Sequence, residues 1–208
     1  MNIKIIMFPT NIDTVFLSKK VLKNEPVILK KYSSEYGDGS TMLGPDSLTS
    51  RFSKFNVLKW WGTRKLKQKI RLGYERYTGI EGTPLYIQCW ANVMRNGQKI
   101  EAHQHSQDIR DTEDFLCGNL PIQVDGTTST YYLDTNQRPQ DTEVKPICNM
   151  NGQMTIFPGH LTHWTDKYVG NDERVTIAFD ILSERYFEES MNRPDVDLRL
   201  WGDNFVRI

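Results

Sequence analysis

The chain has 208 residues and a mass of 24.2 kDa, enough for one domain with or without an extension but not for two complete domains. Its 26 basic residues balance its 26 acidic residues, so no positive surplus favours nucleic acid or an anionic membrane as a partner. The 38% content of hydrophobic residues is typical of a folded domain, and no apolar run reaches the roughly 18 residues of a membrane-spanning helix.

The cysteines and the N-terminal segment indicate a cytoplasmic protein. Cys89, Cys117 and Cys148 are odd in number and have no metal-binding spacing, so we expect buried, reduced thiols. The apolar segment 1–7 is too short for a secretory signal.

The first third of the chain predicts helices and one loop. Pro45, Asp46 and Ser47 suit a helix start, and four apolar residues follow at helical spacing: Leu48, Phe52, Phe55 and Leu58. A second such set lies in a basic stretch: Leu66, Ile70, Tyr74 and Tyr77. The Ser, Gly and Asp-rich segment 33–47 predicts a loop.

From Pro84 the hydrophobic period changes from helical to two, which predicts strands. Residues 85–93 place apolar side chains on one face and four aromatic or amide side chains on the other: Tyr86, Gln88, Trp90 and Asn92. A polar aromatic face opposite a core face is typical of the inner wall of a ligand-holding barrel. We therefore expect these four residues to line a pocket.

Turn signals at Asn96-Gly97, Asp125-Gly126 and Asn151-Gly152 separate further short strands. The predicted strands lie at about 100–105, 115–124, 128–134, 144–148, 153–158 and 174–183. Many short strands with such turns predict a mainly β sandwich or jelly roll with N-terminal helices. The polar last 25 residues predict a helix and a tail on the outside.

All four histidines fall between positions 103 and 163, and two of them form an H-x-H pair. With a period of two, His103 and His105 project from the same face of a strand, together with Glu101. Two imidazoles so placed can share one metal ion, and imidazole suits Fe, Zn, Cu and Ni. His163, with His160 as its alternative, follows a strand that ends at Phe157-Pro158-Gly159.

The next strand opens with Arg174, and Thr176 lies on the same face of that strand. An arginine on a strand that faces the interior is costly to desolvate unless it meets an anion. A guanidinium with a hydroxyl two residues on therefore predicts a carboxylate-binding position. The metal-type histidines and this arginine together predict an enzyme site.

These residues resemble the 2-oxoglutarate and Fe(II)-dependent oxygenases, and more narrowly a putative bacterial and phage group with an H-x-H motif. The resemblance runs from about residue 5 to 183 in order and spacing. It rests on these segments: Phe8-Pro9-Thr10, Trp90-Ala91-Asn92 with Gly97, His103-Gln104-His105, Gly152 to Phe157-Pro158, Leu161-Thr162-His163 and Arg174-Val175-Thr176-Ile177.

The resemblance implies a double-stranded β-helix that forms the core at 84–183, with an extension at 1–83 and a tail at 184–208. It implies Fe(II) held by His103, His105 and His163, and 2-oxoglutarate as co-substrate held by Arg174 and Thr176. The implied reaction is hydroxylation of a small molecule or protein, with 2-oxoglutarate converted to succinate. Neither a membrane nor nucleic acid is an expected partner, and the expected location is the cytoplasm, or the host cytoplasm for a phage protein.

One position departs from the common H-x-D/E…H pattern, because His105 stands where the carboxylate is expected. Either three histidines hold the metal, or His105 lies behind the ligands and a nearby carboxylate takes its place: Asp108, Asp111 or Asp114. Two rival functions remain at this point. One is a cupin-like metal-binding protein, which has no need of Arg174 and Thr176, and the other is a structural jelly roll that retains no metal.

Overall fold

The computed structural model describes residues 4–28, 30–31, 48–49, 51, 56–106, 113–124, 128–134, 143–192 and 204–208. The expected loop at 33–47, the ligand alternatives Asp108 and Asp111, and the turn at Asp125-Gly126 lie outside these residues.

Antiparallel strands dominate the described residues, which confirms the expectation of a mainly β fold. The strands are β1 (Ile6–Pro9), β2 (Lys30–Lys31), β3 (Leu48–Thr49), β4 (Leu85–Met94), β5 (Phe115–Gln123), β6 (Ser129–Leu133), β7 (Lys145–Cys148), β8 (Gln153–Pro158), β9 (Thr162–Thr165), β10 (Arg174–Ser183) and β11 (Val206–Arg207). The helices are α1 (Thr14–Ile28), α2 (Arg64–Thr78), α3 (Glu184–Asn192) and a short 3-10 helix at Val57–Lys59.

Two sheets form the jelly roll in the part of the chain that the structure describes. The larger has the order β1-β8-β5-β10-β4-β3-β2, with β11 also paired to β4, and the smaller has the order β7-β6-β9. Side chains of both sheets meet in one apolar cluster, where Tyr132 of β6 packs with Cys117, Phe157 and Leu182 of the larger sheet. The sheets therefore face each other.

The alternation along β4 and β10 separates the core from the interior of the roll, as the sequence predicts. Odd-numbered side chains of both strands are buried against α1 and α2 in the main core. Even-numbered side chains, such as Trp90 and Thr176, face the cavity between the sheets. Burial of each large aliphatic side chain in such a core contributes about 1.5–3 kcal/mol.

Helix α2 forms where the second helical repeat predicts it. Its apolar stripe is buried: Leu66, Ile70, Tyr74 and Tyr77. The helix ends at Gly79, which has a φ of 77° and donates its backbone N–H to Glu75 O at 2.8 Å. This left-handed position favours glycine and closes the last turn. Helix α3 confirms the expected helix in the C-terminal segment.

The helix expected from Leu48 onward is wrong at its start, and Phe52 and Phe55 lie outside the described residues. Leu48 and Thr49 form strand β3, which pairs with Val93 and Asn92 of β4. The free edge of β4 offers backbone hydrogen bonds that override a short helical spacing.

The strand expected at 100–105 is also wrong. Only an isolated bridge between His103 and His163 forms there, because the backbone N–H groups of His105 and Ser106 turn to Gly159 O instead of extending a ladder.

Two further results concern the thiols and the strand at 162–165. Cys148 is exposed, whereas Cys89 and Cys117 are buried as expected, and β9 was not expected as a separate strand.

Among the described residues, no helix combines the length and the hydropathy that crossing a bilayer requires.

Candidate active site

Three of the four histidines converge at one end of the cavity between the sheets. A side-chain nitrogen from each of His103, His105 and His163 lies within 4.8 Å of the other two. The ring centres are 4.2 Å apart for His103 and His163, and 5.1 Å apart for His105 and His163. This arrangement has the size of a single metal-binding site.

Backbone hydrogen bonds between two segments fix this convergence. His103 N donates to His163 O at 3.1 Å, and His163 N donates to His103 O at 2.8 Å. Residues that exchange both hydrogen bonds across an antiparallel pair stand directly opposite each other. His105 N donates to Gly159 O at 2.9 Å, which ties the second histidine to the turn before β9.

Each imidazole is held in the same tautomer by a hydrogen bond from its Nδ1. His103 Nδ1 donates to Glu101 O at 2.8 Å, and His163 Nδ1 donates to Leu161 O at 3.0 Å. His105 Nδ1 donates to Asp180 Oδ1 at 2.5 Å. Because each Nδ1 carries the proton, each Nε2 presents a lone pair, which is the form that ligates metals.

Burial keeps the three imidazoles neutral. It lowers the pKa of His103 to about 3, with a further contribution from neighbouring His105. Burial also lowers the pKa of His163 well below its usual value, helped by the two other rings. The pKa of His105 is lowered by burial as well, although the Asp180 carboxylate opposes the shift. Neutral imidazole is the form that ligates metals.

A second polar cluster stands behind His105. The Asp180 carboxylate accepts hydrogen bonds from His105 Nδ1 and from Cys117 Sγ at 3.2 Å, and its other oxygen pairs with Arg51 at 3.2 Å. Burial acts to raise the pKa of Asp180, but His105 and Arg51 outweigh it and leave the pKa below its usual value. The carboxylate is therefore ionised.

This second cluster is a hydrogen-bonded group and not a second metal site. The atoms of His105, Cys117 and Asp180 lie 2.5–3.2 Å apart. Ligands around a tetrahedral metal with bonds of 2.0–2.3 Å are separated by roughly 3.3 Å or more.

Arg174 lies in the same cavity as the histidines. It is 2% exposed, and burial lowers its pKa to about 10, so the guanidinium stays charged at neutral pH. Its Nη1 donates to the Met94 sulfur at 3.9 Å, its Nη2 donates to Asn149 Oδ1 at 3.2 Å, and its Nε has no hydrogen-bond partner. Among the described residues the guanidinium forms no salt bridge, and the Asp166 carboxylate acts on it from a greater distance. A buried cation without a direct carboxylate partner is costly by several kcal/mol.

Further buried polar atoms without partners surround Arg174. The Thr176 hydroxyl and Asn92 Oδ1 are two of them, and these residues stand opposite each other on β10 and β4. Asn119 Oδ1 on β5 is a third. Unpaired buried polar groups are rare and costly, so their concentration in one cavity indicates a polar ligand there.

Known proteins resemble this chain in sequence and in fold. Residues 88–180 match the model of a family described as putative 2OG-Fe(II) oxygenase. The matched range contains the three converging histidines as well as Arg174 and Thr176. The resemblance to the 2-oxoglutarate and Fe(II)-dependent oxygenases is confirmed. Fe(II) and 2-oxoglutarate, the expected cofactors, are those of this oxygenase family. A search of curated protein sequences finds no match.

Solved structures of such oxygenases share the fold. The epimerase SnoN from nogalamycin biosynthesis, described as non-heme and alpha-ketoglutarate-dependent, aligns with a TM-score of 0.63 at 10% identity over 87% of this chain and 78% of its own. A Trichoplax adhaerens prolyl hydroxylase aligns at 0.62, with 11% identity over 89% and 86%. A Pseudomonas putida prolyl-4-hydroxylase aligns at 0.56, with 11% identity over 88% and 94%. At this identity the likeness establishes the double-stranded β-helix and not the activity.

Two of the four residues expected to line the pocket do so, namely Trp90 and Asn92. Tyr86 and Gln88 are not among the residues that line this cavity. Tyr86 stacks on Phe187 of α3, with ring centres 3.9 Å apart, and Gln88 Nε2 donates to the backbone oxygen of Arg51 at 3.2 Å. They share the inward face of β4 but lie beyond the end of the cavity, because the strand is longer than the cavity.

The other ligand candidates in the described part of the chain lie apart from the cluster. His160 is buried but is not among the converging histidines. Asp114 bonds to the Ser183 hydroxyl at 2.6 Å and pairs with Arg185. The carboxylate of Glu101 pairs with Lys99 at 2.9 Å, and its side chain is 44% exposed.

Of the two adjacent tyrosines on β6, Tyr132 faces the interior and lies beside His163, whereas Tyr131 stacks on Trp164.

The sequence interpretation missed Asp180, Arg51 and Cys117. Asp180 had a visible signal, since it continues the inward face of β10 that starts at Arg174 and Thr176. Arg51 had no such signal, because it approaches His105 from a part of the chain 54 residues away.

Proposed function

We propose that this chain is a dioxygenase that hydroxylates a substrate and converts 2-oxoglutarate to succinate. The observation that carries the proposal is one cavity that holds three converging imidazoles and a buried arginine that forms no salt bridge among the described residues. The family match over the same residues supports the chemistry. In the overall reaction one oxygen atom of O₂ enters a C–H bond of the substrate and the other enters succinate, with loss of CO₂.

His103, His105 and His163 would hold Fe(II) through their Nε2 atoms. The donor set fits this ion, because neutral imidazoles bind divalent iron and their Nδ1 protons are all engaged elsewhere. Three protein ligands would leave coordination positions for the co-substrate and dioxygen. When bound, the iron supplies the activation of dioxygen that no side chain can perform.

Arg174 and Thr176 would hold the carboxylate of 2-oxoglutarate that is remote from the iron. A guanidinium nitrogen and a hydroxyl, both buried and both unpaired, offer two donors to one carboxylate. The charge on Arg174 would then be neutralised inside the protein, which removes the cost of its isolation. Asn92 and Asn119 contribute further polar atoms to the walls of the same cavity.

The walls near the iron position are aromatic and would exclude water during the reaction. Phe157 packs edge-on against His163 at 4.8 Å, and Trp90 lies 5.9 Å from His105. A dry site protects reactive species from side reactions. The empty space in the cavity and at its opening to solvent amounts to about 680 Å³.

The test is an anaerobic titration with Fe(II) and then with 2-oxoglutarate, followed by an assay of succinate formation in air. We expect a visible charge-transfer band only after both additions, and its absence would contradict the proposal. His163→Ala should abolish the band. His160→Ala is the matched control, since this nearby buried histidine is outside the cluster, and it should keep the band. Metal binding without any response to 2-oxoglutarate would favour a cupin-like metal-binding protein instead.

A further inference from the structure

Three neutral imidazoles bring no negative charge to a divalent cation, so the charge near the site must come from elsewhere. Among the described residues, one carboxylate contacts a member of the three-histidine cluster: Asp180, which contacts His105. Its side chain is 4% exposed, and it accepts the Nδ1 proton of His105 at 2.5 Å. A carboxylate in this position raises the basicity of the imidazole and fixes its ring.

We propose that Asp180 is a positioning residue that supplies, through His105, the negative charge that the three-histidine site lacks. This inference rests on the proposed function, because it requires a cation on the Nε2 side of His105. It goes further than that function, because it assigns to Asp180 on β10 an influence on the affinity for the metal and on the electronic character of the bound metal.

The surroundings of Asp180 are built to keep this carboxylate in place. Cys117 Sγ donates to the oxygen that also accepts from His105, at 3.2 Å, and Arg51 pairs with the other oxygen at 3.2 Å. Both carboxylate oxygens are therefore engaged, and the side chain has one orientation. Strand β10 is paired on both sides, with Gln88 on one side of Asp180 and Cys117 on the other, which holds its backbone.

The same strand would then serve both halves of the site. Arg174 and Thr176 stand at one end of its inward face, and Asp180 stands at the other end of that face. Side chains at alternate positions of a strand point to one side, so one rigid element would place the co-substrate anchor and the support of His105.

The experiment compares metal binding by the full-length protein and by Asp180→Asn, with Co(II) as a spectroscopic probe and with Fe(II) under anaerobic conditions. The variant keeps the shape of the side chain and can still accept a hydrogen bond, but it lacks the charge. We expect Co(II) affinity to fall about 10- to 100-fold and the visible Co(II) bands to shift in position. Asp114→Asn, which changes a carboxylate away from the histidines, should leave both readouts unchanged.

The role of Arg51 is separated by making Asp180→Asn in an Arg51→Gln background. If Asp180 acts through His105, the loss of affinity persists in this background. If the effect disappears there, Asp180 only restrains Arg51 and the inference is wrong. Unchanged affinity and unchanged Co(II) bands in Asp180→Asn, with normal binding by the wild-type protein, would also overturn it. Absence of metal binding by the wild-type protein would instead overturn the proposed function.

Discussion

The guanidinium carbon of Arg51 lies 4.5 Å from the centre of the Trp90 ring, and this stacking places Arg51 Nη1 3.2 Å from His105 Nε2. The lone pair of that nitrogen can accept from Arg51 or ligate a metal, but not both. Arg51 must therefore give up this contact when His105 binds a cation, and its positive charge opposes the cation. We therefore expect Arg51 to lower the metal affinity of the site.

Arg51→Gln should tighten metal binding. Two like unit charges about 5 Å apart repel by about 3 kcal/mol at an effective dielectric constant of about 20. We expect the dissociation constant for Co(II), measured by calorimetry, to fall by about tenfold or more. Arg71→Gln, which removes an arginine on α2 that bonds to Thr83 O, is the control and should have no effect. Weaker binding in Arg51→Gln would show that the arginine supports the site.

Replacement of Arg174 should weaken the binding of 2-oxoglutarate and leave the binding of the metal unchanged. Loss of a buried charge pair costs about 3 kcal/mol, so Arg174→Ala should raise the dissociation constant of 2-oxoglutarate about 100-fold. Thr176→Val removes one neutral hydrogen-bond donor and should raise the dissociation constant of 2-oxoglutarate about tenfold. Both constants come from titration of the metal-loaded protein with 2-oxoglutarate. An equal loss of metal and 2-oxoglutarate in Arg174→Ala would indicate a structural role instead.

His105 is tested by two substitutions that differ in their ability to ligate. We expect His105→Ala to lose iron-dependent turnover and His105→Asp to retain part of it. In the wild-type protein Asp180 accepts a hydrogen bond from His105 Nδ1. An aspartate at position 105 has no such donor, so two carboxylates would face each other in His105→Asp. The double variant His105→Asp/Asp180→Asn should therefore bind Fe(II) more tightly than His105→Asp. Full turnover in His105→Ala would remove His105 from the ligand set.

Local patterns predicted the parts of this fold that depend on one element at a time. The alternation along 85–93 and 174–179 gave the faces of β4 and β10, and the apolar spacing from Leu66 to Tyr77 gave α2. Each of these segments is long enough for its hydrophobic period to be unambiguous. The H-x-H pair with His163 and Arg174 was likewise visible, because the chemistry of a site restricts residue types more than packing does.

What the sequence did not reveal depends on contacts between distant segments. Leu48 and Thr49 form a strand because the edge of β4 is available, and no local pattern records that edge. The chain leaves strand geometry at His105 because Gly159 O accepts hydrogen bonds from the backbone N–H groups of His105 and Ser106. Arg51 reaches His105 and Asp180 across 54 and 129 residues of chain. Such pairings are decided by the tertiary fold.

Gly118 on β5 lies where the inner wall of the cavity meets the core, and a side chain does not fit there. A Cβ at Gly118 would lie 2.4 Å from the Phe179 ring and 2.7 Å from Thr155 O. The Thr155 backbone is fixed because β8 pairs with β5 at Asn119. Gly118→Ala should therefore lower the free energy of unfolding by about 3 kcal/mol, from overpacking, in urea denaturation.

Gly159→Ala is the matched control for this prediction. The three atoms nearest to its Cβ would all belong to the side chain of Phe115, the first at 3.1 Å, and this ring can yield by a small rotation. We expect a loss of about 1 kcal/mol or less. If Gly118→Ala also lowered the free energy of unfolding by only about 1 kcal/mol or less, the prediction would be wrong. The cavity wall between Cys117 and Asn119 would then be less rigid than the pairing of β5 with β8 indicates.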